Sequence, residues 1–302
     1  MTSTEPVRLS KLISPGFAEL HKRVKATQPD EVWCKGGRGS TKSSYLSLLT
    51  LLLLSKDHEA HALVGRRYES ELRDTVYGQL QWAANQLHID GLWRFMLSPL
   101  QAINQDTGQK ILFRGVDNPL KAKSINLGKG YIKIAWFEEV DQYGSMDEVR
   151  SILQSLFRGP GGHKMAFFSY NPPRSARAWV NQETKIEKPG RIVHSSDYRS
   201  VPPEWLGERF LTEAKHLERV NEAVYRHEYL GEEVGTGLEV FNNVTTRRIT
   251  TEERATFGDI RQGLDFGYAI DPLCFERVYF DAKKRTLWVF EEIAAVGVSN
   301  RA

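Results

Sequence analysis

The apolar run Val32-Trp33-Cys34 leads into Lys35-Gly36-Gly37-Arg38-Gly39-Ser40-Thr41-Lys42-Ser43-Ser44, and a second apolar stretch follows from Tyr45 to Leu54. A strand, a loop of small residues and a helix in that order leave few architectures open. A helix apolar on nearly every side must lie beneath neighbouring elements, as it does when it covers a parallel sheet. Small residues let successive backbone N–H groups turn toward an anion, and Lys42 adds a movable positive charge. The loop therefore reads as a cradle for nucleotide phosphates. The usual pattern, G-x-x-x-x-G-K-[ST], carries glycine just before the lysine. Here that position is Thr41, which still presents its N–H but adopts positive φ less cheaply than glycine. The motif thus requires a second nucleotide element downstream.

That element is the strand-like Tyr131-Ile132-Lys133-Ile134-Ala135-Trp136-Phe137, closed by Glu138-Glu139. Adjacent glutamates alone usually mark a solvated face. At the carboxyl end of a buried parallel strand they stand beside the phosphate loop, where one can hold a magnesium-bound water and the other activate the attacking water. Glu138 takes the metal side and Glu139 the role of general base or water-orienting residue, although the two assignments are open to exchange. A third apolar run, Lys164 to Tyr170, ends in Asn171-Pro172-Pro173. The prolines stop ladder bonding and leave Ser169 and Asn171 at the strand end, where a polar residue can sense a terminal phosphate or simply cap a turn.

The remaining segments fit around this core. Gly16 to Lys25 reads as a short helix with Phe17, Leu20 and Val24 on one face, either core packing or a flank for the nucleotide base. Ala60 to Gly65 reads as a strand with Arg66-Arg67-Tyr68 at its carboxyl end, Tyr68 to Leu87 as a helix, and Gln109 to Gly115 as another strand. Lys121, Lys123 and Lys129, interrupted by Ser124, Asn126, Gly128 and Gly130, form a basic loop, either a solvated connection or a contact to phosphate or another subunit. Glu204 to about Tyr229 is helical and charge-rich, and Gly231 to Gly237 marks a linker. Ile260 to Phe266, Leu273 to Asp281 and Thr286 to Ile293 follow as strands of an antiparallel meander.

At 302 residues and 40% hydrophobic, the chain can bury cores for two domains. A net charge of +3 permits nucleic-acid contact without requiring it. Cys34 and Cys274 are far apart in sequence and provide neither a disulfide framework nor a zinc cluster, which fits a reducing cytosol. The most apolar run, Leu46 to Leu54, is roughly half of the about 20 residues a membrane helix needs, so no membrane partner is expected.

In its order of motifs the chain resembles the phage terminase large subunits, in particular the PBSX-like branch that packages double-stranded DNA into preformed heads. The resemblance rests on GGRGSTKS at Gly36 to Ser43, WFEEVDQ at Trp136 to Gln142, SYNPP at Ser169 to Pro173 and GLDFGY at Gly263 to Tyr268. It implies an α/β P-loop NTPase of the additional-strand class over residues 1–230, a linker over 231–258, and the start of a ribonuclease H-like nuclease over 259–302. By this resemblance Gly36, Gly37, Arg38, Gly39, Ser40, Thr41, Lys42 and Ser43 bind ATP. Lys42 contacts its β- and γ-phosphates, Arg38 senses or polarises phosphate, Ser43 and Glu138 hold Mg²⁺, Glu139 primes water, and Asn171 lies in the motif coupling hydrolysis to movement. Asp265 resembles the first carboxylate of a nuclease site that would use Mg²⁺ or Mn²⁺.

The implied partners are duplex DNA gripped through its phosphates, a small terminase subunit, the portal protein and like subunits in a ring. The implied place is the bacterial host cytoplasm, transiently at the prohead portal and not in the mature virion. With only three nuclease strands before Ala302, this polypeptide is expected not to cut DNA by itself. A helicase-like or repair ATPase, and a prophage remnant that binds a terminase partner without turnover, are the alternative readings.

Overall fold

The computed structural model describes residues 7–116, 127–235, 245–266 and 273–295. The chain divides into two compact units, Met1–Glu239 and Val240–Ala302. Lys121, Lys123, Ser124, Asn126 and Tyr268, named above, lie outside the described residues.

The first unit is built on strands β1 (Glu31–Gly36), β2 (Ala60–Arg66), β3 (Trp93–Leu97), β4 (Leu100–Asn104), β5 (Lys110–Gly115), β6 (Tyr131–Glu138), β7 (Met165–Tyr170) and β8 (Arg191–Ser196). They form an eight-stranded sheet in the order β3-β4-β5-β2-β6-β7-β1-β8. The run from β5 to β8 is parallel throughout, whereas β3 and β4 add an antiparallel hairpin at one edge. One strand, β7, separates the strand that enters the glycine loop from the strand that ends in the two glutamates. Because all the parallel strands run the same way, Gly36, Arg66, Glu138 and the exit from Tyr170 share one edge of the sheet, the edge where open α/β folds bind ligands.

Both faces of the sheet are covered, as the apolar strands require. Alternation along each strand divides the core in two. Val32, Cys34, Ile134, Trp136 and Phe167 face helices α1 (Ala18–Thr27), α2 (Lys42–Leu54) and α3 (Gly78–Gln86). Trp33, Ala135, Phe137 and Phe168 face α4 (Met146–Leu156). Helix α2 buries Leu46, Leu48, Leu49, Leu51 and Leu54, each contributing about 1.5–3 kcal/mol of transfer free energy. No helix among the described residues is long and apolar enough to cross a membrane.

Three expectations change in detail. The segment Tyr68 to Leu87 is not one α-helix: a π turn over Arg73–Tyr77, with the Tyr77 N–H donating to Leu72 O at 3.1 Å, precedes α3. The extra residue lets the adjacent Val76 and Tyr77 both turn inward, and Tyr77 meets the rings of Phe95 and Phe113. The helical stretch after Pro202 breaks at Gly207, where φ is 80°, and at Asn221, whose side chain caps the next helix by accepting from the Val224 N–H. Strands β3, β4 and β8 were not expected from the sequence. β8 lies at a sheet edge and four of its six residues are polar, so it shows no apolar run.

In the second unit, β9 (Ile260–Asp265), β10 (Leu273–Asp281) and β11 (Thr286–Ala295) form an antiparallel sheet ordered β11-β10-β9. A short helix, Thr251–Ala255, is held by a capping box between Thr250 and Glu253. Phe257 beyond it packs on Tyr279, Trp288 and Phe290.

Candidate active site

The glycine loop owes its composition to two different constraints. A Cβ on Gly36 would lie 1.8 Å from Ser196 O, and one on Gly37 would lie 1.9 Å from Tyr229 O. These two glycines therefore let the loop press against neighbouring backbone. The N–H groups of Gly37 and Arg38 are not aimed at an anion, as the sequence suggested: the Gly37 N–H donates to Ser196 O at 3.2 Å, and the Arg38 N–H to Glu228 O at 2.8 Å. Gly39 is needed for its own conformation, with φ at 74°, and a Cβ there would meet Phe210. The concavity begins at this point and continues into the first turn of α2, where Lys42, Ser43 and Ser44 present the N–H groups that a helix leaves without internal partners.

Thr41 occupies the place of the pattern's last glycine and takes the left-handed conformation that glycine would take, with φ 61° and ψ 24°. Its Oγ1 is buried without a hydrogen-bond partner. The departure noted in the sequence is accommodated as backbone strain of about 1–2 kcal/mol, and the geometry of the loop is kept.

Lys42 is buried, and its ammonium shares its three N–H donors among four oxygens within hydrogen-bond distance, Gly36 O (2.9 Å), Gly37 O (3.1 Å), Ser40 Oγ (3.0 Å) and Asn171 Oδ1 (2.9 Å). Burial pulls its pKa down from 10.5 to about 8, against the opposing pull of the Glu138 carboxylate. Next to it, Ser43 Oγ donates to Glu138 Oε1 at 2.5 Å. Loop lysine, helix serine and strand glutamate thus meet at one point, although 95 residues separate Ser43 from Glu138.

Glu139 has the left-handed φ of 51°. Its carboxylate accepts from the Arg66 guanidinium and, at 2.7 Å, from Gln142 Nε2. Arg66 is buried at the carboxyl end of β2 and also pairs with Glu71 at 3.1 Å. The sequence placed Arg66 at the ligand-facing edge but gave no sign of its pairing with Glu139. Asp141, two residues beyond Glu139, has its carboxyl pushed up to about 6, chiefly by burial and then by the charge of Glu138.

The side chain of Arg38 stands exposed at the loop tip. Phe17 lies in the core, its ring stacked on Tyr45 at 4.7 Å, so it flanks no ligand surface. A cleft of about 720 Å³ opens beside the loop, bounded in part by Lys11, Leu12, Thr41, Ser44, Trp82 and Trp205. Lys129 is exposed, 3.8 Å from Glu59. In the second unit Asp265 ends β9 opposite Cys274. Glu291 is engaged by Arg254 and Arg277. Among the described residues no cluster of three or more His, Cys, Asp or Glu side chains is placed to hold a metal ion.

Fold and site together define an α/β protein whose glycine loop and acid-tipped strand share one edge of a mostly parallel sheet, the acidic strand one place removed from the loop strand. Within that class the chain belongs to the phage terminase large subunit family, whose model matches residues 30–232. It is 37% identical over 300 residues to the terminase large subunit of Bacillus phage SPP1, covering 97% of this chain and 70% of that protein. It is 23% identical over 279 residues to the PBSX phage terminase large subunit of Bacillus subtilis (strain 168), covering 85% of this chain and 62% of that protein. Among solved structures, the large terminase of a thermophilic bacteriophage has a TM-score of 0.58 at 13% identity, covering 94% of this chain and 69% of that one. That protein has also been solved with ADP and with ATP-gamma-S. The HK97 bacteriophage large terminase gives 0.52 at 12% identity, over 87% of this chain and 58% of that one.

Proposed function

We propose that the first unit is the ATP-hydrolysing motor of a large terminase, a P-loop ATPase of the additional-strand class that drives duplex DNA into a preformed head. The observation that carries this reading is the meeting of Lys42, Ser43 and Glu138, with Glu139 on the adjoining residue. The triphosphate lies over Gly39 to Ser43, with Lys42 exchanging its carbonyl partners for the β- and γ-phosphate oxygens. Arg38 reaches the phosphates from the loop tip, and the nucleoside occupies the cleft beside Thr41 and Ser44.

The Ser43 hydroxyl and the Glu138 carboxylate are hard oxygen donors side by side, a donor set that fits Mg²⁺. When bound there the ion would neutralise charge on the β- and γ-phosphates. Glu139 orients and deprotonates the attacking water. A carboxylate tied to a guanidinium is a weak base, so Glu139 acts after parting from Arg66. Asn171, paired with Lys42, registers whether the lysine has moved to a nucleotide.

The second unit is the beginning of a ribonuclease H-like nuclease in this reading, with Asp265 as a carboxylate for Mg²⁺ or Mn²⁺. The working assembly is a ring of like subunits at the prohead portal in the host cytoplasm, joined by a small terminase subunit. DNA is held through its phosphates, because a packaging motor must accept any sequence.

The test is steady-state ATP turnover of the purified chain and two variants. Lys42→Ala should abolish nucleotide binding and turnover. Glu139→Gln should keep nucleotide binding and lower turnover by about 10²–10⁴-fold, the usual contribution of a general base. Equal rates in all three proteins would reject the motor reading, and loss of binding in Glu139→Gln would show that the base is misassigned.

A further inference from the structure

The sequence left Ser169 as a residue that could sense a terminal phosphate. The structure points elsewhere. Ser169 is buried, with 1% of its surface exposed, and it lies on the face of β7 that also carries Met165 and Phe167. On the adjacent strand Trp136 and Glu138, two residues apart, share that face, and Glu138 is the register partner of Ser169. The fully buried Trp136 donates its indole N–H to Ser169 Oγ at 2.7 Å. Ser169 Oγ donates in turn to Glu138 Oε2, while Ser43 Oγ holds Oε1.

The direction of this series is fixed by chemistry. An indole N–H can only donate, so Ser169 must accept from it, and the one hydroxyl proton is then left for Glu138. A strand pair needing only apolar packing would have no reason to bury an indole N–H and a hydroxyl in line, since each costs free energy unless paired. Both are paired here, and the series ends on the carboxylate.

We infer that Ser169, backed by Trp136, is a positioning residue for Glu138: it fixes the carboxylate plane so that Oε1 and the Ser43 oxygen converge on one cation. This inference rests on the assignment of Glu138 to the metal made above. It separates the two polar residues at the end of β7, which are two positions apart: Ser169 serves the carboxylate, and Asn171 serves Lys42. Hydrogen-bonded supports of metal ligands typically govern metal affinity by about 10–100-fold.

The test compares wild type with Ser169→Ala, Ser169→Thr and Trp136→Phe. Mn²⁺ binding is read by electron paramagnetic resonance at saturating ADP, and ADP binding is read separately in EDTA. Ser169→Ala should weaken Mn²⁺ binding about tenfold and leave ADP binding in EDTA unchanged. Ser169→Thr, which keeps the hydroxyl, should restore the Mn²⁺ affinity. Weakened ADP binding in EDTA with Mn²⁺ affinity intact would overturn the inference in favour of phosphate sensing, and no change in either would reduce Ser169 to packing.

A nucleotide-free arm judges the series by itself. In NMR spectra the Trp136 indole N–H signal, assigned through Trp136→Phe, should shift on Glu138→Gln and should not respond to that change once Ser169 is alanine. If wild type binds no ADP, the ATPase reading fails, and this arm still decides the role of Ser169. An indole signal indifferent to Glu138→Gln would overturn that role.

Discussion

Raising the pH from 7 to 9 perturbs one group at the centre of this site, the Lys42 ammonium. With its pKa drawn down to about 8 by burial, the lysine is roughly nine-tenths charged at pH 7 and roughly one-tenth charged at pH 9. A nucleotide that binds only the charged form sees its affinity reduced by the charged fraction. ADP binding should therefore weaken about tenfold over this interval, or about 1.4 kcal/mol. The terminal phosphate ionises near pH 6, so the ligand contributes little to the change. Isothermal titration with ADP at the two pH values and fixed ionic strength is the assay, with Lys42→Met as the control. Wild type should lose affinity and the variant should stay weak at both pH values. An unchanged wild-type affinity, or an equal fall in Lys42→Met, would refute the reasoning.

The same shift has a consequence for stability, with a definite sign. The folded state holds its Lys42 proton less tightly than the unfolded chain, where the pKa is near 10.5. Between about pH 8 and 10.5 the unfolded chain binds the extra proton, so the contribution of Lys42 to stability rises with pH across that window. The full span is about 3 kcal/mol. Denaturant midpoints of nucleotide-free wild type should therefore climb relative to Lys42→Met as the pH rises.

Two further outcomes follow from local geometry. Thr41→Gly should raise stability by up to about 1.5 kcal/mol, because it removes left-handed strain of about 1–2 kcal/mol and adds glycine's entropy cost of about 0.5–1 kcal/mol. Thermal melts check this, and a marked loss of stability would mean that the threonine side chain supports the loop. Glu31 is buried, and burial alone would raise its carboxyl; Lys188, Trp33 and Arg191 outweigh that and hold it below the usual range. Its contribution is complete at neutral pH and lost as the pH falls through its lowered pKa. Glu31→Ala should cost about 3–5 kcal/mol by leaving buried Arg191 half-paired, with a smaller stability loss on acidification than wild type. Identical melts of the two proteins at pH 7 would contradict this.

The parallel core was legible because its strands are apolar on both faces: β1, β2, β6 and β7 each stand out as short hydrophobic runs, the first three ending in a small or charged residue and β7 running into Asn171-Pro172-Pro173. The edges were not. β8 carries only Ile192 and Val193 as apolar residues because it lies at the margin of the sheet, and β3 and β4 are brief and partly exposed. The π turn before α3 was hidden for another reason: it shifts the burial of Tyr77 by one residue, and a strict helical period registers that only as noise.

Within the site, residue types were legible and their pairings were not. Lys42, Glu138 and Glu139 could be picked out from local context, since a glycine loop and an acid-tipped strand each carry a local pattern. What sets their reactivity comes from neighbours in the sheet: Arg66 from β2 against Glu139, Ser169 from β7 against Glu138, and Asn171 against Lys42. Strand order determines these partnerships, and strand order is decided by how the helices cross the sheet. Once β7 lies between β1 and β6, register puts Ser169 opposite both Cys34 and Glu138. A hydroxyl at that position then has a carboxylate within reach on one side and the loop strand on the other. The same placement carries the chain on to Asn171, over the loop lysine. A single strand end therefore touches both the loop lysine and the acidic strand end, and substitutions there should change the two halves separately according to which residue is altered.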